Sequence, residues 1–322
     1  MTPVDLVGHD AAWREWRAAL ASARMHHGWI FAGSRGVGKG TFARAAARAL
    51  VAEPGVPQPE GAHPDVIVLD PLPANDEEEK KRDEGKAYET KRNISVDQIR
   101  RMQARLVTRP TLGNRRAVIV DPADDLEKAA VNALLKSLEE PPAGTFFLLV
   151  AHRPGRLLAT VRSRCRMLRF APIGNDAIDA ILRDRAPSAD AATRAAAIAA
   201  ADGSPGAALA FVDQDLAPLH ALMQRIMRDG DPGFVLRGAL AAEVGARPSR
   251  ARLSAALDLA RAALAEDFAA GPRERQLRVI EAHGAVTRLA AQAPTYNFDA
   301  GLLIMEIGGL LASAAMPREP AT

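Results

Sequence analysis

The sequence predicts an α/β parallel-sheet fold followed by an all-α region, and three observations carry that reading. Short aliphatic runs alternate with helical stretches through the first half of the chain. A glycine-rich loop joins the first such run to the first long helical stretch. After Phe170 the chain becomes alanine-rich and helical, without a clear strand.

In chain order, "GWIFAG" (Gly28 to Gly33) predicts a strand entering the loop, and "TFARAAARAL" the helix leaving it. "DVIVLD" (Asp65 to Asp70), "RAVIVD" (Arg116 to Asp121) and "TFFLLVA" (Thr145 to Ala151) predict three more buried strands. Between them, Ile94 to Leu106 and Asp125 to Glu140 read as helices. In the second of these Leu126, Val131, Leu134, Leu135 and Leu138 gather on one face, and Pro141 and Pro142 end it. Ala52 to Pro64 is a Pro/Gly-rich linker. Asp76 to Arg92, dense in both acids and bases, reads as a mobile surface loop. The turns "RDRAPSAD" and "ADGSPGAA" set off a small helical domain at 171–211 from a second helical domain at 212–322, both following the sheet domain at 1–170.

Composition bounds the function. With 322 residues, 48% apolar and 25% charged, the chain can bury a core, and it is not of the disordered class. The net charge of +3 permits nucleic-acid contact without requiring it. A lone cysteine, Cys165, excludes a disulfide within the chain and a four-cysteine zinc site, and predicts a reducing, cytoplasmic setting. The N-terminal stretch has no signal-peptide pattern. Ala300 to Met316, which carries Glu306, reads as a buried helix and not as a membrane span.

The loop "FAGSRGVGKGTFA" is nearly a phosphate-binding P-loop. Gly33, Gly36, Gly38 and Lys39 build the cradle in which backbone N–H groups and the lysine hold phosphates. The Ser or Thr whose hydroxyl ligates magnesium is replaced by Gly40. Thr41 stands about 100° further round the helix, so its hydroxyl is not a simple substitute. The expectation is ATP or ADP held without hydrolysis, and no metal ligand set. The acidic pair that such a site needs after a later strand is also broken: Asp121 is followed by Pro122, which cannot act as a base. An N-cap role is expected for Asp124 or Asp125.

The stretches "HGWIFAGSRGVGKGT", "AHPDVIVLD", "VDQIRR", "NALLKSLEEPP", "LLATVRSRC" and "GSPGAAL", in this order over about Leu6 to Leu209, resemble the bacterial sliding-clamp loader, a family of AAA+ proteins. The resemblance implies an AAA+ P-loop NTPase-like domain, a small helical lid and a C-terminal helical collar. It also implies a place in a five-membered ring with motor subunits (gamma/tau) and a delta subunit. Contact with the sliding clamp would be indirect, and primer-template DNA would be met in the assembled complex. Ser163, Arg164 and Cys165 match the family's "SRC" motif, which makes Arg164 the candidate arginine finger for a neighbour's ATP site. Arg162 and Arg166 flank it as alternatives, since any of the three suits a surface ion pair.

Other family elements are missing. Gly206 stands where active members carry a sensing arginine, and the polar sensor after the "FFLLV" strand falls at Ala151 or His152, with His152 expected near solvent. The zinc module that many members carry has no cysteine here, which leaves His63 a turn residue. The resemblance thus implies a comparatively rigid, non-hydrolysing stator of a polymerase holoenzyme, itself without polymerase chemistry. Two alternatives stand beside it. One is an active AAA+ ATPase in which Thr41 and Asp124 or Asp125 have taken over. The other is a nucleotide-independent DNA-binding module using Arg100, Arg101, Arg105, Arg109, Arg115 and Arg116 as a positive strip.

Overall fold

A computed structural model describes residues 7–22, 24–268, 272–293 and 298–315. The ends of the resemblance at Leu6 and of the apolar stretch at Met316 lie outside them. The chain divides into two compact units, Met1–Pro172 and Ile173–Thr322.

In the first unit the order is α1 (Asp10–Ala21), β1 (Gly28–Ala32), α2 (Lys39–Val51), β2 (Val66–Leu69), α3 (Asp76–Asp83), α4 (Val96–Leu106), β3 (Arg116–Val120), α5 (Lys128–Glu139), β4 (Thr145–Ala151), α6 (Ala159–Arg162) and β5 (Arg166–Arg169). The strands form one parallel sheet in the order β2-β3-β4-β1-β5. β1 alternates with period two. Trp29 and Phe31 enter one apolar layer with Trp16 of α1 and Phe42 of α2, while Ile30 and Ala32 enter the opposite layer with Ile99 of α4 and Leu134 of α5. In the first layer Trp16 meets Trp29 edge-on at 5.2 Å, and Phe31 meets Phe42 at 5.3 Å. The chain therefore leaves β1, β3, β4 and β5 along one edge of the sheet, where open α/β sheets bind their ligands.

The stretch expected as a mobile loop at Asp76 to Arg92 instead begins with α3. Asn75 accepts from the Glu78 backbone and caps the helix. Four acids fill the first turn and Lys80, Lys81 and Arg82 the last, which complements the helix dipole, and Lys81 pairs with Glu78 at 2.7 Å. Charge order along the segment, and not its apolar content, makes the helix. The Pro-rich linker closes through hydrogen bonds: Arg48 donates to the Gly61 carbonyl at 2.6 Å, and the Nδ1 of His63 accepts from the Asp65 backbone.

In the second unit, α7 (Asn175–Arg185), α8 (Ala191–Ala200), α9 (Pro205–Asp213), α10 (Ala217–Asp229), α11 (Val235–Val244), α12 (Arg250–Asp267), α13 (Arg273–Gln292) and α14 (Ala300–Ser313) share one apolar cluster that runs from Ile173 to Ala314. Helices on both sides of position 211 contribute to it, so the division expected there does not separate two cores. Leu303, Ile304, Ile307 and Leu311 bury one face of α14 while Glu306 is exposed. Among the described residues no helix is long and apolar enough to cross a membrane.

Candidate functional site

The P-loop lies between β1 and α2. Gly36 and Gly38 hold φ values of 79° and 100°, the left-handed region that favours glycine. Gly33 has another reason to be glycine: a Cβ there would come within 2.5 Å of the Phe170 carbonyl oxygen just after β5. His9 clamps the loop from below, its Nε2 lying 2.5 Å from the Val37 carbonyl oxygen and its ring edge-on to Phe170. Burial lowers the pKa of His9, which favours the neutral ring.

Lys39 is 2% exposed, and its Nζ donates to the carbonyls of Gly33 at 2.7 Å and Ser34 at 2.6 Å. Burial brings its pKa down to about 8, with Asp124 and Asp121 opposing the shift. Thr41 is exposed, and among the described hydrogen bonds none joins it to Lys39 or Asp121.

The magnesium corner is built differently from the sequence expectation. Asp121, just after β3, is held by Arg44 of α2 at 2.8 Å, and the same Arg44 nitrogen donates to the Gly40 carbonyl at 3.1 Å. A Cβ on Gly40 would come within 2.5 Å of Asp121 Oδ2 and 3.1 Å of that nitrogen. Gly40 is where the carboxylate has moved in. Asp70, at the end of β2, adds a second acid whose pKa burial raises, Arg44 opposing and Asp121 reinforcing the shift.

Asp124 and Asp125 do not cap a helix. They lie in a 3-10 turn capped by Pro122, and α5 starts only at Lys128 with Glu127 before it. The Asp124 carboxylate accepts from the backbones of His152 and Arg153, tying this turn to the end of β4. Ala151 is the last residue of β4 and fully buried, so the polar side chain at that strand end is His152. His152 is half-buried at this strand end. Its Nδ1 is buried without a hydrogen-bond partner, and it lines a cavity of about 450 Å³ with Gly33, Ser34 and Arg169. Burial first, then Lys39, Arg35 and Arg153, push its pKa down to about 3.

Arg164 occupies the turn between α6 and β5. Ser163 Oγ donates to the Thr160 carbonyl, and Cys165 packs so closely on Gly28 that a Cβ there would meet its Sγ at 2.9 Å. Burial raises the Cys165 thiol to about 12, which leaves it a packing group. Arg164 is thus pinned on both sides while its side chain remains 35% exposed. Its guanidinium donates to the Thr160 carbonyl at 3.0 Å and pairs with Glu139 at 2.8 Å.

The neighbouring arginines have other work. Arg162 donates to the carbonyls of Leu157 and Gly155, and Arg166 pairs with Glu15 and lies over Trp29. Arg116, placed in the positive strip by sequence, is buried. It donates to the carbonyls of Arg105, Thr108 and Arg109 with Asp65 beside it, and so leaves the strip.

A family profile described as "DNA polymerase III, delta subunit" matches residues 8–174. The chain belongs to the DNA polymerase III delta-subunit family. Its curated relatives include the DNA polymerase III subunit delta' of Escherichia coli (strain K12), 34% identical over 62% of this chain and 58% of that protein. The delta' subunit of Pseudomonas aeruginosa is 35% identical over 47% and 46%. The DNA polymerase III subunit gamma/tau of Mycobacterium bovis is 30% identical over 66% of this chain and 37% of that protein. The chain thus spans about half the length of the delta' relatives it matches. Among solved structures, a DNA polymerase III gamma subunit-related protein of Thermotoga maritima is similar at TM-score 0.45 and 19% identity, covering 94% of this chain and 99% of that one. The Thermotoga maritima RuvB Holliday junction branch migration motor is similar at TM-score 0.44 and 18% identity, covering 74% and 82%.

In this member of the delta-subunit family, the residues missed by the sequence reading are Arg44, Asp70 and His9. Arg44 had a usable signal, since it stands four residues after Gly40 and therefore on the same helix face. His9 carried none, because its contact with Val37 is made only when α1 docks beneath the loop.

Proposed function

We propose that this chain works as a delta-prime-type stator of the DNA polymerase III clamp loader. It does not hydrolyse ATP in its own site, and it donates Arg164 to the ATP site of a neighbouring motor subunit. The observation that carries this is the contrast between two guanidinium groups. Arg44 is tied to Asp121, an acid only 18% exposed beside the P-loop, whereas the charged partner of Arg164 is Glu139, which is 49% exposed.

The proposed partners are the gamma/tau motor subunits and the delta subunit, with the sliding clamp met indirectly and primer-template DNA met in the assembly. A planar, permanently charged guanidinium suits charge developing on a transferring phosphoryl group across an interface. In the chain's own loop, Gly33, Gly36, Gly38 and Lys39 are the residues that would hold ATP or ADP. Gly36 and Gly38 have the backbone conformation of a phosphate cradle. Asp124, one of the two acids, with Asp125, that an active ATPase could use as its base, is engaged by two backbone N–H groups. This favours the stator over the alternative of an active ATPase. The loss of Arg116 from the basic strip weakens the DNA-binding module in the same way.

The test is DNA- and clamp-stimulated ATP turnover by the loader reconstituted with the native chain or with Arg164→Ala, with the isolated chain as baseline. A silent isolated chain and a slowed mutant assembly are expected. Turnover by the isolated chain, unaffected by Arg164→Ala, would overturn the reading.

A further inference from the structure

A P-loop site that hydrolyses nucleotide holds a divalent cation between a Ser or Thr hydroxyl on the helix and an acid after a later strand. Magnesium asks for oxygen ligands at about 2.0–2.1 Å in near-octahedral order. The residues of this chain do not fit that ion. The hydroxyl is absent, and the space it would fill lies against Asp121 Oδ2, 2.5 Å from where a Gly40 Cβ would stand. The carboxylate is turned toward α2 and accepts a charge-assisted hydrogen bond from Arg44 at 2.8 Å. The same nitrogen reaches the Gly40 carbonyl, so the guanidinium joins the helix to the end of β3.

From this geometry we infer that Arg44 is the resident cation of the site: tethered to α2, it takes the place of the divalent ion and keeps such ions out. Three features support this. Arginine stays protonated at any pH the fold survives, so the substitute does not titrate away. Arg44 serves two carboxylates at the ends of β2 and β3, being bonded to Asp121 and acting on Asp70 by its charge. The arrangement also makes use of glycine at position 40, because a Cβ there would push the carboxylate end of Asp121 out of its present place. The missing hydroxyl and the added guanidinium are then one change and not two. Lys39 fits the same picture, its Nζ satisfied by loop carbonyls beside the closed corner.

The inference concerns the same site as the stator reading and rests on it in that respect, yet it is tested without partners. Mn²⁺ is titrated into the isolated full chain, and free Mn²⁺ is followed by its paramagnetic resonance signal. The native chain is compared with Arg44→Ala, Arg44→Gln and Arg44→Ala/Asp121→Asn. Removing the guanidinium charge is expected to tighten Mn²⁺ binding by about tenfold or more, because a like charge a few Å away is gone. Adding Asp121→Asn is expected to abolish that gain. Arg44→Gln keeps much of the side-chain stem and an N–H donor, and it must gain affinity too, so the outcome does not hang on one variant folding. If the native chain binds Mn²⁺ as tightly as both Arg44 variants, or if the gain survives Asp121→Asn, the inference is wrong. A failure here leaves the Arg164 experiment untouched, and a failure there leaves this one untouched.

Discussion

The P-loop site and the turn after α6 use cations in opposite ways. In the P-loop, Lys39 is buried and donates to two carbonyls of its own loop, and Arg44, itself 47% exposed, is bound to Asp121, whose side chain is 18% exposed. At the turn, Arg164 is held in position by its neighbours in sequence, while its charge meets Glu139, a carboxylate that is itself 49% exposed. An exposed ion pair of that kind contributes about 0–1 kcal/mol, so an incoming phosphate displaces it at small cost. A corner that satisfies its own charges has little to offer a metal ion. A site held by a weak partner can exchange it for a stronger one.

The comparison can be sharpened by substitutions on either side of it. The largest effect is expected from Arg164→Lys, which keeps the charge and loses the planar fork. The neighbour's turnover should fall most of the way toward the level of a missing finger, which costs on the order of 10³-fold in related phosphoryl transfers. Steady-state kinetics of the reconstituted loader would read this, and full activity with lysine would mean that position 164 supplies only charge. Next comes Asp124→Ala, which leaves the backbone N–H groups of His152 and Arg153 without their acceptor. It should destabilise the first unit by about 1–3 kcal/mol in urea unfolding, and an unchanged midpoint would show that the acid has some other task.

His152 supplies a pH test. Its pKa is about 3 in the fold against 6.5 unperturbed, so between those values the unfolded chain binds the extra proton. Stability should therefore fall as pH drops from 6.5 toward 3, and His152→Gln should flatten that slope in urea midpoints measured across the range. The smallest effect is expected from Lys39→Ala. Clamp loading should remain nearly intact, because the stator does not hydrolyse nucleotide at the site that Lys39 serves, and a large loss would show that nucleotide there matters.

Much of the fold was legible because its signals are local. The runs at Trp29 to Ala32 and at Val118 to Val120 are apolar enough to mark strands buried on both faces, and the glycine-rich loop marks where the first helix begins. β5 was missed because "RMLR" buries only Leu168 fully and has too few apolar residues to announce a strand. α3 was missed because its signal is the order of its charges. At the site, Gly40 and the Asp121-Pro122 break were visible as losses. What replaced them was not, since the approach of Arg44 to Asp121 spans 77 residues of sequence and exists only once α2 packs beside β3. The same holds for Asp124, whose partners lie beyond β4, and for Arg116, whose carbonyl partners come from the end of α4 and the loop that follows it. Arg164 was singled out by its motif alone: in the structure Arg162, Arg164 and Arg166 each already hold partners.

One assay addresses the asymmetry between the two sites directly: stimulated ATP turnover by loaders that differ only in carrying Lys39→Ala or Arg164→Ala in this chain. Turnover close to native is expected with Lys39→Ala, and a clear slowing with Arg164→Ala. The reverse pattern, with Lys39→Ala slowing the loader and Arg164→Ala leaving it unchanged, would contradict it.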